Sequence, residues 1–312
     1  MLSLLLTATH FTCPSCGLPL LSADATAKTL RCTNGHSFDK AREGHVHLLP
    51  PARKPAVALQ AEEDAVIRAE RAFYEAGGFA SQADGLAAEV ARALSLCPTA
   101  NDGAEEGRRQ VLGAGCGEGL YLRTVREHLS RDGGAPVVGL WGTDTEKLAV
   151  RYAASRQRDA HFAVASPHDL PFADGSLDLV FAAFAPAPWE AFCRVLRPGG
   201  AVVVARAGPD HLQELRERVR GGSAVEASPS AALTKQYPAA LAENYVRVRT
   251  REAFTGARAA RLLEMTPIVR RAPQSCRDEL EREVERGQPL HCTVDLIIST
   301  HRVWLGTGGE PM

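Results

Sequence analysis

Between residues 111 and 206, short unbroken apolar runs alternate with stretches whose apolar positions recur at helical spacing. The runs at 111–114, 136–144, 160–164, 177–184 and 201–206 read as five strands. Residues 120–129 read as an amphipathic helix, and 194–200 end another helix before the fifth strand. The 177–184 run is apolar along its length and suits a strand buried on both faces. Strands alternating with helices predict an α/β fold class with a doubly wound, mostly parallel Rossmann-like sheet. Upstream, residues 60–76 and 81–96 have helical composition, and Gly77-Gly78 caps the first of these helices. Downstream, residues 245–251 alternate with period two and place Arg247, Arg249 and Arg251 on one face. A solvated edge strand is favoured there over an RNA contact. Residues 252–265 read as helix and 294–298 as a final strand, with no internal repeat.

At 312 residues the chain suits one medium domain plus a small module, and its 45% hydrophobic content suffices for a sizeable core. The predicted division is a metal module over 10–50, a linker with helices over 51–105, and an α/β domain over 106–312. The boundary is the stiff, basic, proline-rich stretch 50–55, and polar residues 101–109 predict a surface loop before the first strand. The formal net charge is only −1, so a nucleic-acid partner must be held by a local patch. Arg68 and Arg71 are expected to be plain solvated charges on a surface helix. Residues 1–6 are apolar but too short for a membrane span and lack a preceding basic residue, and no other stretch is long enough. No membrane partner and a cytoplasmic location are expected.

Of the eight cysteines, three fall within the first 32 residues, which suits metal ligands better than a disulfide framework. Cys13-Pro14-Ser15-Cys16-Gly17 is a C-x-x-C knuckle, and Cys32 with His36 completes a Cys₃His set. Four such ligands close a tetrahedron around structural zinc, and so small a module needs the metal to fold. His45 and His47 compete for the fourth position. His36 is preferred because Asn34-Gly35 supplies the turn back towards Cys32. Nothing around Cys13 reads as the βαβ context of a cysteine redox pair.

The first strand runs into Gly113-Ala114-Gly115-Cys116-Gly117-Glu118-Gly119 and then the 120–129 helix. Strand, glycine turn and helix open many nucleotide-binding domains, because glycine lets a ligand approach the main chain closely. The spacing is G-x-G-x-G, and Glu118 at the helix start would repel a pyrophosphate. It would not repel a phosphate-free cation such as S-adenosylmethionine (SAM). The second strand ends in Asp144, an acid placed to bind ribose hydroxyls. Two segments after later strands, 185–189 and 208–212, also fall on the ligand edge. In the last of them His211 reads equally as a ligand contact and as a helix-start residue.

Taken together these residues resemble the bacterial 23S rRNA guanine-N1 methyltransferases, a family with macrolide-resistance members. The resemblance is carried by Cys13-Pro14-x-Cys16, by His36 to Gly44 (HSFDKAREG), and by Val46-x-Leu48-Leu49-Pro50. It continues through Arg71-Ala72-Phe73, Ala76-Gly77, Gly115 to Gly119, Val164 to Phe172, Gly208-Pro209-x-His211-Leu212 and Met265-Thr266-Pro267. It implies a SAM methyltransferase domain beside a zinc module that helps hold 23S rRNA, in a homodimer. The implied zinc ligands are Cys13, Cys16, Cys32 and His36. The implied SAM contacts are Gly117, Glu118, Asp144 and His211, joined by Gly115 of the same turn and by Phe79, where the family usually has tyrosine. Gly113 replaces an acid usual before the glycine turn, His45 and His47 replace tyrosine and asparagine, and Leu120 replaces a second aromatic.

The expected reaction is methyl transfer from SAM to N1 of a guanine, with N1 aligned to the sulfonium methyl and its proton leaving. Asp169, Glu190 and His211 are weak candidates for the base, and none is assigned as catalytic. Two alternatives stand beside this expectation. One is a SAM-dependent methyltransferase of a small molecule or another RNA; the other is a zinc-containing RNA-binding protein whose SAM site has decayed.

Overall fold

The computed structural model describes residues 7–24, 26–50, 57–98, 108–131, 138–220 and 242–303. The proline-rich break after Pro50 and residues 101–107 of the expected loop lie outside them. The chain forms two compact units, one from residues 1–53, 88–204 and 300–312, the other from 54–87 and 205–299.

In the first unit, β1 (Thr7–Thr12), β2 (Pro19–Ser22), β3 (Thr29–Arg31) and β4 (Ser37–Asp39) form an antiparallel sheet in that order. A larger sheet follows, with β5 (Val46–His47), β6 (Arg109–Ala114), β7 (Val138–Asp144), β8 (His161–Val164), β9 (Leu177–Ala183) and β10 (Leu196–Ala207). Within the unit its strand order is β10-β9-β6-β7-β8-β5, and the pairs β6/β7, β6/β9, β7/β8 and β5/β8 are parallel. The strands after β6 run outward on one side, then the chain returns to lay β9 on the other. That reversal is the topological switch point, where ligands bind beyond the carboxyl ends of the strands.

Helices α3 (Leu120–Arg131), α4 (Lys147–Arg156) and α5 (Trp189–Val195) connect these strands. Every residue of β9 is buried, including Asp178. Its carboxylate accepts the Gln110 amide N–H at 2.6 Å and pairs with Arg109 and Arg197 at 3.3 and 3.4 Å. A buried charge persists only when so compensated. β10 begins at Leu196, five residues before the expected strand, because Val303 pairs with the Pro198-Gly199-Gly200 segment, the Gly199 amide donating to the Val303 carbonyl at 2.8 Å and the Val303 amide to the Gly200 carbonyl at 2.9 Å.

The metal module is welded to the large sheet. Phe11 packs edge-on against Trp141 (centroids 5.0 Å) and tilted against Phe172 (5.3 Å). The Thr12 amide donates to the Pro171 carbonyl at 2.8 Å, and β5 extends the sheet beyond β8.

The second unit holds α1 (Val57–Glu75), the first half of α2 (Ala80–Ser95), α6 (Gln213–Arg220), β11 (Asn244–Phe254), α7 (Gly256–Met265), α8 (Pro267–Arg270), α9 (Gln274–Glu285) and most of β12 (Leu290–Arg302). Its core gathers Phe73, Phe79, Phe254, Leu262 and Leu280. Gly77, at φ +82°, terminates α1, and Gly78 lies where any Cβ would enter the Phe73 ring. Arg68 and Arg71 pair with Asp64 and Glu75 one turn away; Arg68 is exposed, the solvated role expected of it, whereas Arg71 is half-buried. β11 alternates strictly in exposure as an edge strand, with Arg247, Arg249 and Arg251 on the exposed face. It runs through Phe254, so residues 252–254 are strand and not helix. The alternation carries on until the Phe254 ring is fully buried.

Candidate metal centre and cofactor site

Two tight turns build the metal centre. Gly17, at φ +71°, turns the first knuckle so that its amide reaches the Cys13 carbonyl at 2.8 Å. Gly35, at φ +85°, does the same for Cys32 at 3.0 Å. The ligand atoms of Cys13, Cys16, Cys32 and His36 lie within 4.8 Å of one another. Tetrahedral zinc with ordinary bond lengths requires S···S edges of about 3.8 Å and S···N edges of about 3.5 Å. The Cys16–Cys32 sulfurs are 3.7 Å apart, and His36 Nδ1 is 3.5 Å from Cys13 Sγ and 3.3 Å from Cys32 Sγ. Three thiolates and an imidazole at those spacings fit a structural zinc ion. His45 and His47 do not belong to the cluster, and His45 is buried with Nδ1 unbonded.

The glycine turn sits at the carboxyl end of β6. Gly115, Gly117 and Gly119 all have positive φ, at +67°, +53° and +96°. At Gly115 a Cβ would lie 2.3 Å from that of Ala185, whereas at Gly117 it would meet nothing within 4 Å. The crest of the turn therefore opens on free space where a ligand can reach the main chain. Asp144 closes β7 beside it. One carboxylate oxygen accepts the Gly117 amide at 2.8 Å and the other the Glu146 amide at 2.9 Å. Burial raises the Asp144 pKa, and the amide hydrogen bonds oppose that rise. Two carboxylate oxygens have about four acceptor sites, so capacity remains for ribose hydroxyls. Glu118 is buried and pairs with Arg156 at 3.4 Å. Gly115, Gly117, Glu118 and Asp144 are thus brought together, on a cradle suited to a phosphate-free nucleoside.

Phe79 and His211 lie together in the second unit, ring centroids 5.7 Å apart and edge-on. Phe79 is buried in the core, at φ +57°. His211 sits in the turn before α6, and its Nδ1 accepts the Asp295 amide at 3.3 Å. Burial drives its pKa down to about 4, with the Asp295 carboxylate opposing. With Nδ1 accepting, the neutral ring carries its proton on Nε2 and acts as a donor. Asp169 and Glu190 are both exposed. Asp169 lines a cavity of ≈ 480 Å³ beside Cys13 and Pro14, which no residue of the glycine turn lines.

Sequence reasoning missed Asp295. This fully buried carboxylate takes a two-pronged hydrogen bond from Arg247, both distances 2.8 Å, and accepts the Asp210 amide at 3.0 Å. Burial pushes its pKa up, and the Arg247 guanidinium and Asp210 amide overcome that and hold it low. Asp210 also pairs with Arg247 and Arg249, so two of the three edge-strand arginines are engaged within the unit.

A family model described as "RlmA, N-terminal" matches residues 11–56, and one described as "Methyltransferase domain" matches 112–204. A Micromonospora griseorubida protein named as a 23S rRNA (guanine-N(1)-)-methyltransferase is 37% identical over 236 residues, 73% of this chain and 77% of that one. The 23S rRNA (guanine(748)-N(1))-methyltransferase of Streptomyces fradiae is 37% identical over 207 residues, 66% of each. YxjB of Bacillus subtilis (strain 168), also named for guanine-N(1) methylation of 23S rRNA, is 28% identical over 291 residues, 92% of this chain and 96% of that one.

Proposed function

Because this chain belongs to the 23S rRNA (guanine-N1) methyltransferase family, we propose that it transfers the SAM methyl group to N1 of a guanine in 23S rRNA. The supporting observation is one compact unit that joins a Cys₃His tetrahedron to a glycine turn tied to a strand-end acid. SAM supplies an electrophilic methyl on a sulfonium. The carbon–sulfur bond breaks as the N1–carbon bond forms, its electron pair stays on sulfur, and the N1 proton passes to solvent or a base.

The residues of this chain position rather than react. Gly117 leaves the main chain open to the donor, Asp144 fixes the turn and offers acceptors to ribose, and Glu118, its charge balanced by Arg156, completes the turn. Gly115 belongs to the same proposed set. Phe79 and His211 enter it from the family resemblance. Zinc holds the two knuckles and so preserves the module that would grip RNA. A homodimer and a cytoplasmic location are proposed on the same resemblance; among the described residues, no helix is long and apolar enough to cross a membrane.

The test is transfer of tritiated methyl from SAM to 23S rRNA taken from a strain lacking the gene, with the product mapped as N1-methylguanine. No label in rRNA would overturn the proposal. Label in a small molecule or another RNA would replace the substrate. RNA binding without SAM binding in calorimetry would leave a zinc-containing RNA-binding protein.

A further inference from the structure

Phe184 follows directly on β9 and has a backbone φ of +53°. A residue bearing a Cβ occupies that left-handed region at a cost of about 1–3 kcal/mol, and such strain gathers at ligand sites. Among the described residues only Phe79 and Leu212 share it without being glycine, and both of those are buried. Phe184 instead keeps 42% of its surface exposed, although the β9 residues before it are buried throughout.

Its place in the fold is specific. It stands at the carboxyl end of a strand flanking the switch point. The next residue, Ala185, lies directly against Gly115 of the glycine turn. Pro186 and Pro188 then stiffen the loop. Behind the ring, Tyr121 at the start of α3 is buried and packs tilted at 42°, centroids 6.2 Å apart.

We infer that Phe184 is the platform on which the target guanine is stacked, a substrate-contacting residue of the reaction proposed above, on which this inference rests. N1 lies on the Watson–Crick edge, so the base must be splayed out of any pairing before it can be methylated. Stacking on an aromatic ring uses only the face of the base and leaves that edge free to point at the donor. A strained backbone that keeps the ring exposed beside the glycine turn does this. A buried ring on a relaxed backbone would not.

The experiment uses the full-length zinc-loaded protein and its Phe184→Gly, Phe184→Ala and Phe184→Trp variants. It measures melting temperature, SAM affinity by calorimetry, and kcat/KM on unmethylated 23S rRNA. Loss of one base stack corresponds to about 10–100-fold in kcat/KM. Phe184→Gly is expected to show that loss with SAM affinity within about twofold. Its melting temperature should be unchanged or raised, since glycine relaxes the left-handed φ. Phe184→Trp should recover most of the activity. Full rRNA activity in Phe184→Gly, or a parallel loss of SAM binding, overturns the platform while leaving the methyltransferase reading in place. A wild type that leaves rRNA unlabelled sinks both.

Discussion

Gly113 and Phe181 face each other across the parallel pair β6/β9, and a Cβ built on Gly113 would lie 2.9 Å from the tip of the Phe181 ring. Gly113, where the resemblance leads to the expectation of an acid, therefore stands beside a ring that fills the side-chain space. The two positions act as one packing unit in the strand pair leading to the glycine turn.

Restoring an acid there should consequently fail without a change at 181. Gly113→Asp is expected to cost at least about 1–3 kcal/mol from overpacking alone, with a further cost for a buried unpaired carboxylate. Combining it with Phe181→Ala should give a stability change well short of the sum of the two single effects. A double-mutant cycle by denaturant unfolding measures this, and a coupling within about 0.5 kcal/mol of zero would contradict the shared packing.

Zinc removal should be felt in the large sheet. The metal module presents Phe11 to Trp141 and Phe172, so loss of the tetrahedron frees the face that covers Trp141. Apparent zinc-binding free energies in isolated fingers are about 10–16 kcal/mol, so Cys32→Ser is expected to abolish the module's fold. The protein should carry one zinc per chain and the variant none, with tryptophan emission shifted to the red as Trp141 meets water. Elemental analysis and fluorescence on the same samples check this. Unshifted emission in a zinc-free variant would argue against the packing.

Asp144 holds the turn through two amides, so its substitutions should rank by acceptors retained. Asp144→Asn keeps one side-chain oxygen and is expected to weaken SAM binding modestly. Asp144→Ala loses the Gly117 and Glu146 hydrogen bonds as well as any to ribose, and should raise the SAM dissociation constant about 10–100-fold. Calorimetry reads both. Wild-type affinity in the alanine variant would remove Asp144 from the cofactor site.

What could be seen in advance divides along a physical line. The strand, glycine turn and helix from 109 to 131 and the Cys₃His set were legible because spacing along the chain encodes them. The β11 alternation is legible for the same reason, although the spacing of its last residues, 252–254, reads as helix. Asp178 and Asp295 were not legible as paired charges. Arg109 stands 69 positions from Asp178 and Arg247 stands 48 from Asp295, Arg197 reaches Asp178 from beyond the intervening helix, and nothing local distinguishes a buried carboxylate from a solvated one. Phe184 had the same invisibility. The sequence puts Phe184 in the strand and only the following 185–189 loop on the ligand edge, whereas the positive φ and the exposed ring are properties of the folded backbone alone.

The last prediction concerns acid stability, and it follows from the state in which His211 is held. Burial, opposed by the Asp295 carboxylate and aided by Arg216, brings the folded-state pKa down to about 4. The unfolded chain returns the ring to about 6.5. Between those values the unfolded state binds the extra proton, so stability is complete above about pH 6.5 and falls as the pH drops towards 4. The full span corresponds to about 3 kcal/mol. His45, His47 and His161 are also lowered by burial and add slopes of the same sign, so the wild-type curve alone does not isolate His211. The comparison that does is with His211→Phe, which removes the titration while keeping a ring against Phe79. Melting temperatures from pH 7 down to 4 should fall more steeply in the wild type than in this variant, and parallel curves would show that the imidazole is not held neutral. The same state fixes its chemistry near neutral pH. With Nδ1 accepting the Asp295 amide, the ring presents an Nε2 proton, so His211 can donate a hydrogen bond to a ligand and is not the acceptor of the guanine N1 proton.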